Sequence, residues 1–201
     1  LDKTGLADNT LIVFTSDNGP EDYRCPNAAN AGVGSPGIGR ARKRSIYEGG
    51  VRVPAIARWP KHIKAGRVDN TSVLGAVDWF PTVCAAAGIP MPDIHPDGED
   101  VGDILEGASR PRTAPLFWEW RHDVIDDNDG YNPPQLAIRD GHWKLFMNPD
   151  GGDIELYNLA ADPSERNNVA DHNSEVVASL ANQLAKWKAT LPEGHDYARE
   201  D

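Results

Sequence analysis

At 201 residues, with 39% hydrophobic and 25% charged side chains, the chain is large enough for one domain or a domain and a half and too apolar to be read as disordered. A formal charge of −11 argues against nucleic acid as a partner, since phosphate binding needs a basic face. No apolar run approaches the roughly 20 residues that cross a bilayer, and Leu1-Asp-Lys-Thr-Gly5 has neither the basic start nor the apolar core of a signal peptide. The two cysteines, Cys25 in a loop and Cys84 in an apolar helix, form no disulfide framework and no zinc spacing.

Residues Asp2 to Asp8 read as a helix end or turn that feeds a strand over Thr10–Thr15. Leu11 to Phe14 is short, wholly apolar and β-rich, the pattern of a strand buried on both faces of a parallel sheet flanked by helices. The run stops at Thr15-Ser-Asp-Asn-Gly19. In open α/β sheets ligands sit at the carboxyl ends of strands, which is where Asp17 and Asn18 fall. A carboxylate beside a carboxamide offers oxygen ligands suited to Ca²⁺ or Mg²⁺ rather than zinc or copper. Asn-Gly is also a hairpin signal, but no alternating strand follows it; Pro20 to Gly32 is irregular.

The glycine- and proline-rich stretch Gly19–Gly39 is a long loop beside this candidate site, and long loops inside compact domains are usually functional. Arg40-Ala-Arg-Lys-Arg44 would be a solvated loop in isolation; next to a metal site in an acidic chain it gains an anion-facing reading. Gly49 and Gly50 let backbone approach a ligand closely or adopt positive φ, or else make a plain turn before a strand over Val51–Arg58.

Ser72–Val77 reads as a strand, after which Asp78 caps a helix to about Ala87, with Phe80, Val83, Cys84 and Ala87 as its apolar stripe. A short helix is expected near Val101–Leu105. From about Ala108 the texture changes to strands over Pro115–Arg121, Gln135–Arg139, His142–Met147 and Ile154–Leu159, with Asp140-Gly141 as a type I′ hairpin turn. A last helix over Ser174–Thr190 is capped by Ser174 and places Val176, Val177, Leu180, Leu184 and Trp187 on one face. The Asp- and Asn-rich loop His122–Pro134 lacks EF-hand spacing and reads as exposed.

Several of these stretches fall into a recognisable order. They are Thr15-Ser-Asp-Asn-Gly-Pro-Glu21, Lys43 four residues before Tyr47-Glu-Gly-Gly-Val-Arg-Val-Pro54, Trp59-Pro60, and Val77-Asp-Trp-Phe-Pro-Thr-Val83 with Ala87-Gly88. Asp97-Gly98, Ile138-Arg-Asp-Gly-His-Trp-Lys-Leu145, Glu155-Leu-Tyr-Asn-Leu159 and Asp162-Pro-Ser-Glu-Arg-Asn-Asn168 follow. Together they resemble the formylglycine-dependent sulfatases, of the arylsulfatase and N-acetylgalactosamine-6-sulfatase type. The family's Cys/Ser-x-Pro-x-Arg segment is not matched, since neither Cys25-Pro-Asn-Ala-Ala nor Cys84-Ala-Ala-Ala-Gly fits it.

The resemblance implies the C-terminal part of an alkaline-phosphatase-like sulfatase fold. Residues 1–107 would form an incomplete α/β part with a mixed sheet and helices. Residues 108–201 would form a small α+β subdomain, a four-stranded antiparallel sheet with a C-terminal helix. The implied activity of the parent enzyme is hydrolysis of sulfate esters, of sulfated carbohydrates or aryl sulfates, by a formylglycine nucleophile outside this chain. Asp17 and Asn18 would be ligands of Ca²⁺, with Mg²⁺ less favoured, and Lys43 a catalytic cation on the sulfate. Glu119, Arg121 and His122 are candidates for substrate contacts. The chain by itself would be inactive and would need the missing N-terminal half or self-association to cover an apolar face. By resemblance the parent is periplasmic, secreted or lysosomal. Two alternatives stand beside this: a phosphoryl or phosphonate ester hydrolase of the same superfamily, and a non-catalytic carbohydrate-binding or interaction module.

Overall fold

The computed structural model describes residues 1–22, 32–121 and 132–192. Cys25, His122, His195 and most of the loop 122–134 lie outside them. The apolar run does form a strand, β1 (Ile12–Thr15), but it pairs antiparallel with β2 (Ala55–Arg58) in a two-stranded ribbon, Ile12 opposite Arg58 and Thr15 opposite Ala55. The expected parallel strand with both faces covered is therefore corrected. β-Branched and aromatic residues suffice to set an extended backbone, yet among the described residues no layer covers the ribbon, and Phe14 and Ile56 are 64% and 62% exposed.

The strand expected over Val51–Arg58 starts late, because Glu48–Val51 closes instead into one helical turn, α1. Ser72–Val77 is not a strand either. Its end coils into a 3-10 turn, Ala76–Asp78, in which the Asp78 carboxylate accepts the Gly75 N–H at 2.6 Å. Asp78 makes no side-chain cap on the helix α2 (Trp79–Ala86) that follows. Its oxygens instead accept Arg112 at 2.5 and 2.9 Å and the Glu99 N–H at 3.0 Å. The buried side of α2 is Pro81, Thr82 and Cys84, while Phe80 and Val83 of the expected stripe are 47% and 49% exposed.

Thr82 Oγ1 accepts the Val101 N–H at 3.0 Å and so seats α3 (Gly102–Glu106). Glu99 ties this corner down, accepting Arg110 at 2.8 Å, the Thr113 N–H at 2.7 Å and the Thr113 hydroxyl. Burial pushes the Glu99 carboxyl up, but the bonds from Thr113 and Arg110 outweigh it and hold the pKa down at about 2. An unfolded glutamate titrates near 4.3, so in acid the unfolded chain takes up the proton first. The stabilisation is complete above that value and is lost as pH falls from about 4.3 toward 2. Glu99→Gln should lower stability at neutral pH by about 1–3 kcal/mol and flatten the acid limb of Tm against pH; an unchanged acid limb would count against this role.

The second sheet is β3 (Leu116–Glu119), β4 (Leu136–Asp140), β5 (Trp143–Met147) and β6 (Glu155–Asn158), antiparallel in that order. Alternation sorts its side chains onto two faces. Leu136, Ile138, Leu145, Met147 and Leu156 pack against Leu180 and Leu184 of α4 (Ser174–Lys188), with Trp187 stacked on Phe117 at 5.0 Å. Asn173, not Ser174, holds the cap position of α4, and no side chain bonds the open N–H groups there. The β4–β5 turn is shifted by one residue from expectation. Asp140 pairs with Trp143, Gly141 and His142 form the turn, and only Gly141 has positive φ (56°), which indicates type II′.

The other face carries Ala137, Phe146 and Tyr157, and it is buried too. Ala41, Ile46 and Tyr47 from the loop before α1 pack onto it. The segment bearing the basic cluster and the paired glycines is thus the second cover of the C-terminal sheet, and this arrangement positions the site.

Candidate functional site

Asp17, Asn18 and Lys43 line one cavity of about 440 Å³ between the end of the ribbon and the four-stranded sheet. Asp17 is exposed at its rim, and the Ser16 hydroxyl donates to the Asn18 carbonyl at 2.9 Å. Asn18 Nδ2 donates to the Gly19 carbonyl at 2.8 Å, which leaves Oδ1 as the atom of that side chain suited to ligation.

Close backbone contact explains the glycines. The Gly19 N–H donates to the Gly50 carbonyl at 2.7 Å, and a Cβ on Gly19 would lie 2.0 Å from the Gly49 carbonyl oxygen. A Cβ on Gly49 would meet the Ala41 and Arg40 oxygens at 2.1 and 2.3 Å, and one on Gly50 the Ser45 oxygen at 2.0 Å. Asn18-Gly19 is therefore no hairpin turn. The paired glycines serve close approach, not positive φ, and what approaches is the chain's own backbone.

Lys43 is anchored by its main chain, its N–H donating to the Pro20 carbonyl at 3.0 Å. Its side chain is 38% exposed, and its ammonium lies 3.3 Å from Glu21. Burial pushes the Glu21 carboxyl up, but bonds from the Asp22 N–H, Lys43 and Arg44 prevail and hold it below the usual range. The other cations of the basic cluster are largely committed. Arg44 is bidentate on Glu21 at 3.2 and 3.3 Å, and Arg42 donates to the carbonyls of Glu21, Val33 and Gly34. Arg40 reaches the Tyr157 hydroxyl and the Glu165 carbonyl and lies over the Tyr47 ring. An anion-facing role for the cluster thus narrows to Lys43, with Arg44 in the cavity wall beside it.

Glu119 also lines the cavity, but its oxygens hold Arg121 at 2.7 Å and Lys188 at 2.5 Å, so it fastens β3 to the end of α4. Arg121 is exposed and not part of the cavity wall, and His122 falls outside the described residues. Sequence reasoning missed the aromatic wall, Trp79, Trp118 and Trp120. Its signal was available: Trp118 and Trp120 alternate along one strand, so they share a face.

As a cation site, Asp17 and Asn18 fit in kind, being hard oxygen donors, and fall short in number, since Ca²⁺ takes 6–8 ligands. Among the described residues no group of three His, Cys, Asp or Glu side chains converges.

Residues 38–190 match the family described as N-sulphoglucosamine sulphohydrolase, C-terminal. The chain is 33% identical to the N-acetylgalactosamine-6-O-sulfatase of Bacteroides thetaiotaomicron, over 94% of this chain and 38% of that protein. Of solved structures, Ps i-CgsB in complex with k-i-k-neocarrahexaose superposes with a TM-score of 0.69 at 30% identity, covering 93% of this chain and 38% of the other. The phosphonate monoester hydrolase of Agrobacterium radiobacter superposes at 0.60 and 30% identity, over 94% and 37%. The chain belongs to the sulfatase family, and it spans about 38% of the length of the relatives it matches.

Proposed function

We propose that this chain supplies one wall of the active site of a sulfuric ester hydrolase. The observation that carries the reading is the convergence of Asp17, Asn18 and Lys43 on one cavity, held together by the Gly19–Gly50 bond between their two segments. Lys43 places a partly exposed ammonium where it can meet the anionic oxygens of an ester and neutralise charge that grows on the leaving oxygen. Glu21 orients that ammonium and shares its own charge with Arg44. Asp17 and Asn18 would hold a divalent cation, Ca²⁺ before Mg²⁺, which when bound would supply Lewis-acid stabilisation of sulfate oxygens.

The remaining cation ligands and the nucleophile, a formylglycine in this reading, belong to the whole protein outside these 201 residues. The tryptophan wall suits the body of a sulfated sugar or an aryl group, both of which present flat apolar faces. The exposed ribbon face of Phe14 and Ile56 is covered, in this reading, by the rest of the enzyme or by a second copy.

The likeness to a phosphonate monoester hydrolase supports a second reading, hydrolysis of a phosphonate or phosphate ester at the same site. Parallel assays of the whole protein on aryl sulfate and aryl phosphonate esters separate the two. Faster sulfate turnover, lost in Asp17→Ala, is expected. Equal turnover by Asp17→Ala and the parent would overturn the cation role, and faster phosphonate turnover would establish the second reading.

A further inference from the structure

Lys144 is the residue that an apolar strand should not contain. It lies on the face of β5 that packs under the 41–51 loop and is fully buried, its Nζ 2.9 Å from the Ile46 carbonyl, 2.9 Å from Glu48 Oε1 and 3.0 Å from Glu165 Oε1. Glu165 is fully buried as well, and its second oxygen accepts the Glu48 N–H at 2.6 Å. Arg139, on the same face of β4, approaches Glu48 Oε2 at 3.7 Å. Glu165 reaches this place at φ +53°, a left-handed conformation that costs a non-glycine residue about 1 kcal/mol or more. Three stretches far apart in sequence, around Glu48, Lys144 and Glu165, meet in one ionic knot.

Stability alone does not account for it. Burying a charge costs several kcal/mol per ion, and well-packed apolar residues commonly do as well or better in such places. What the ions add is direction. Lys144 and Glu165 fix the Ile46 carbonyl, the Glu48 amide and the Glu48 carboxylate together. Those groups lie three and five residues after Lys43, on the only stretch between it and the tightly packed Gly49 and Gly50. Lys43 is thereby tethered on both sides, by its own N–H to Pro20 and by the knot beyond Ser45.

We propose that Lys144 is a positioning residue for Lys43: the Lys144–Glu48–Glu165 knot sets where the Lys43 ammonium stands in the cavity. The placement itself is a property of this chain; its effect on catalysis rests on the sulfuric ester hydrolase reading above.

The test has two arms. In the chain as described, trace acetylation by acetic anhydride followed by mass spectrometry compares Lys43 with exposed Lys61 and Lys64. Lys144→Met is expected to raise the relative rate at Lys43 several-fold. Glu165→Gln, which keeps one oxygen for Lys144 and removes the acceptor for the Glu48 N–H, should raise it too and serves if Lys144→Met does not fold. In the whole enzyme, Lys144→Met should lower kcat by between about tenfold and a hundredfold with KM little changed, and Lys144→Arg should recover part of the loss. A relative Lys43 rate that stays at the parent value in both variants, with only Tm lowered, would reduce the knot to a structural role and overturn the proposal. If instead Lys43→Ala left turnover intact, the functional reading would fail while the acetylation arm still decided the placement.

Discussion

In the whole protein, on the sulfuric ester hydrolase reading proposed above, Lys43→Met should lower sulfate-ester turnover by about 10²–10³-fold, the range seen when one preorganised stabiliser of a developing oxyanion is removed. The fold should barely register the change. The main-chain bond to Pro20 survives the substitution, Arg44 continues to hold Glu21, and a partly exposed ion pair contributes roughly 1 kcal/mol or less. The informative comparison is with Arg44→Met, which removes a cation from the same wall and from the same carboxylate. Steady-state kinetics on an aryl sulfate would show a large fall in kcat for the first and a small one for the second. Equal effects would mean that the wall acts through its summed charge, and a loss below about tenfold for Lys43→Met would remove Lys43 from the chemistry.

Arg112→Met is the substitution expected to hurt the fold most. Arg112 and Asp78 are both nearly inaccessible, and Asp78 would be left as a buried carboxylate with only the Gly75 and Glu99 amides for company. Breaking a buried pair from one side typically costs about 3–5 kcal/mol. The midpoint of chemical denaturation should fall accordingly, and Asp78→Asn added to Arg112→Met should recover part of the loss by removing the stranded charge. A deficit under about 1 kcal/mol would show that water reaches Asp78 once the arginine is gone.

The C-terminal sheet and α4 were legible in the sequence because both signals are local. Alternation marks the strand at Leu116–Glu119, the hairpin signal Asp140-Gly141 marks the pair Leu136–Asp140 and Trp143–Met147, and a 3.6-residue stripe from Val176 to Trp187 marks the helix. Errors arose where a long-range partner decided the local shape. Ser72–Val77 is strand-like in composition, yet Asp78 folds its end into a turn while bonding Arg112, 34 residues away. Ser174 is a good cap by type, but the chain enters α4 one residue earlier.

Asp17 and Asn18 stood out by their donor type at the end of an apolar run, whereas Lys43 stood out only as a member of an ordered series of motifs. Their own chemistry is ambiguous, and the glycine that makes Asn18-Gly19 look like a turn is needed for its contact with Gly49, which no local reading contains. Lys144 passed without notice inside the motif Ile138–Leu145, because its meaning depends on which loop lies over that face of β5.

The ribbon of β1 and β2 has a thermodynamic consequence. It holds Asp17 and Asn18 at its end, has two strands, and is wrapped by nothing among the described residues, whereas the four-stranded sheet is sandwiched between α4 and the 41–51 loop. Isolated two-stranded ribbons are marginal in water. Opening of the molecule is therefore graded, with the end that carries Asp17 and Asn18 opening at a lower free energy than the scaffold behind it. Anything that binds at Asp17 and Asn18 acts by mass action on the weakest cooperative unit, so occupancy of the site and order in the ribbon become one coupled equilibrium.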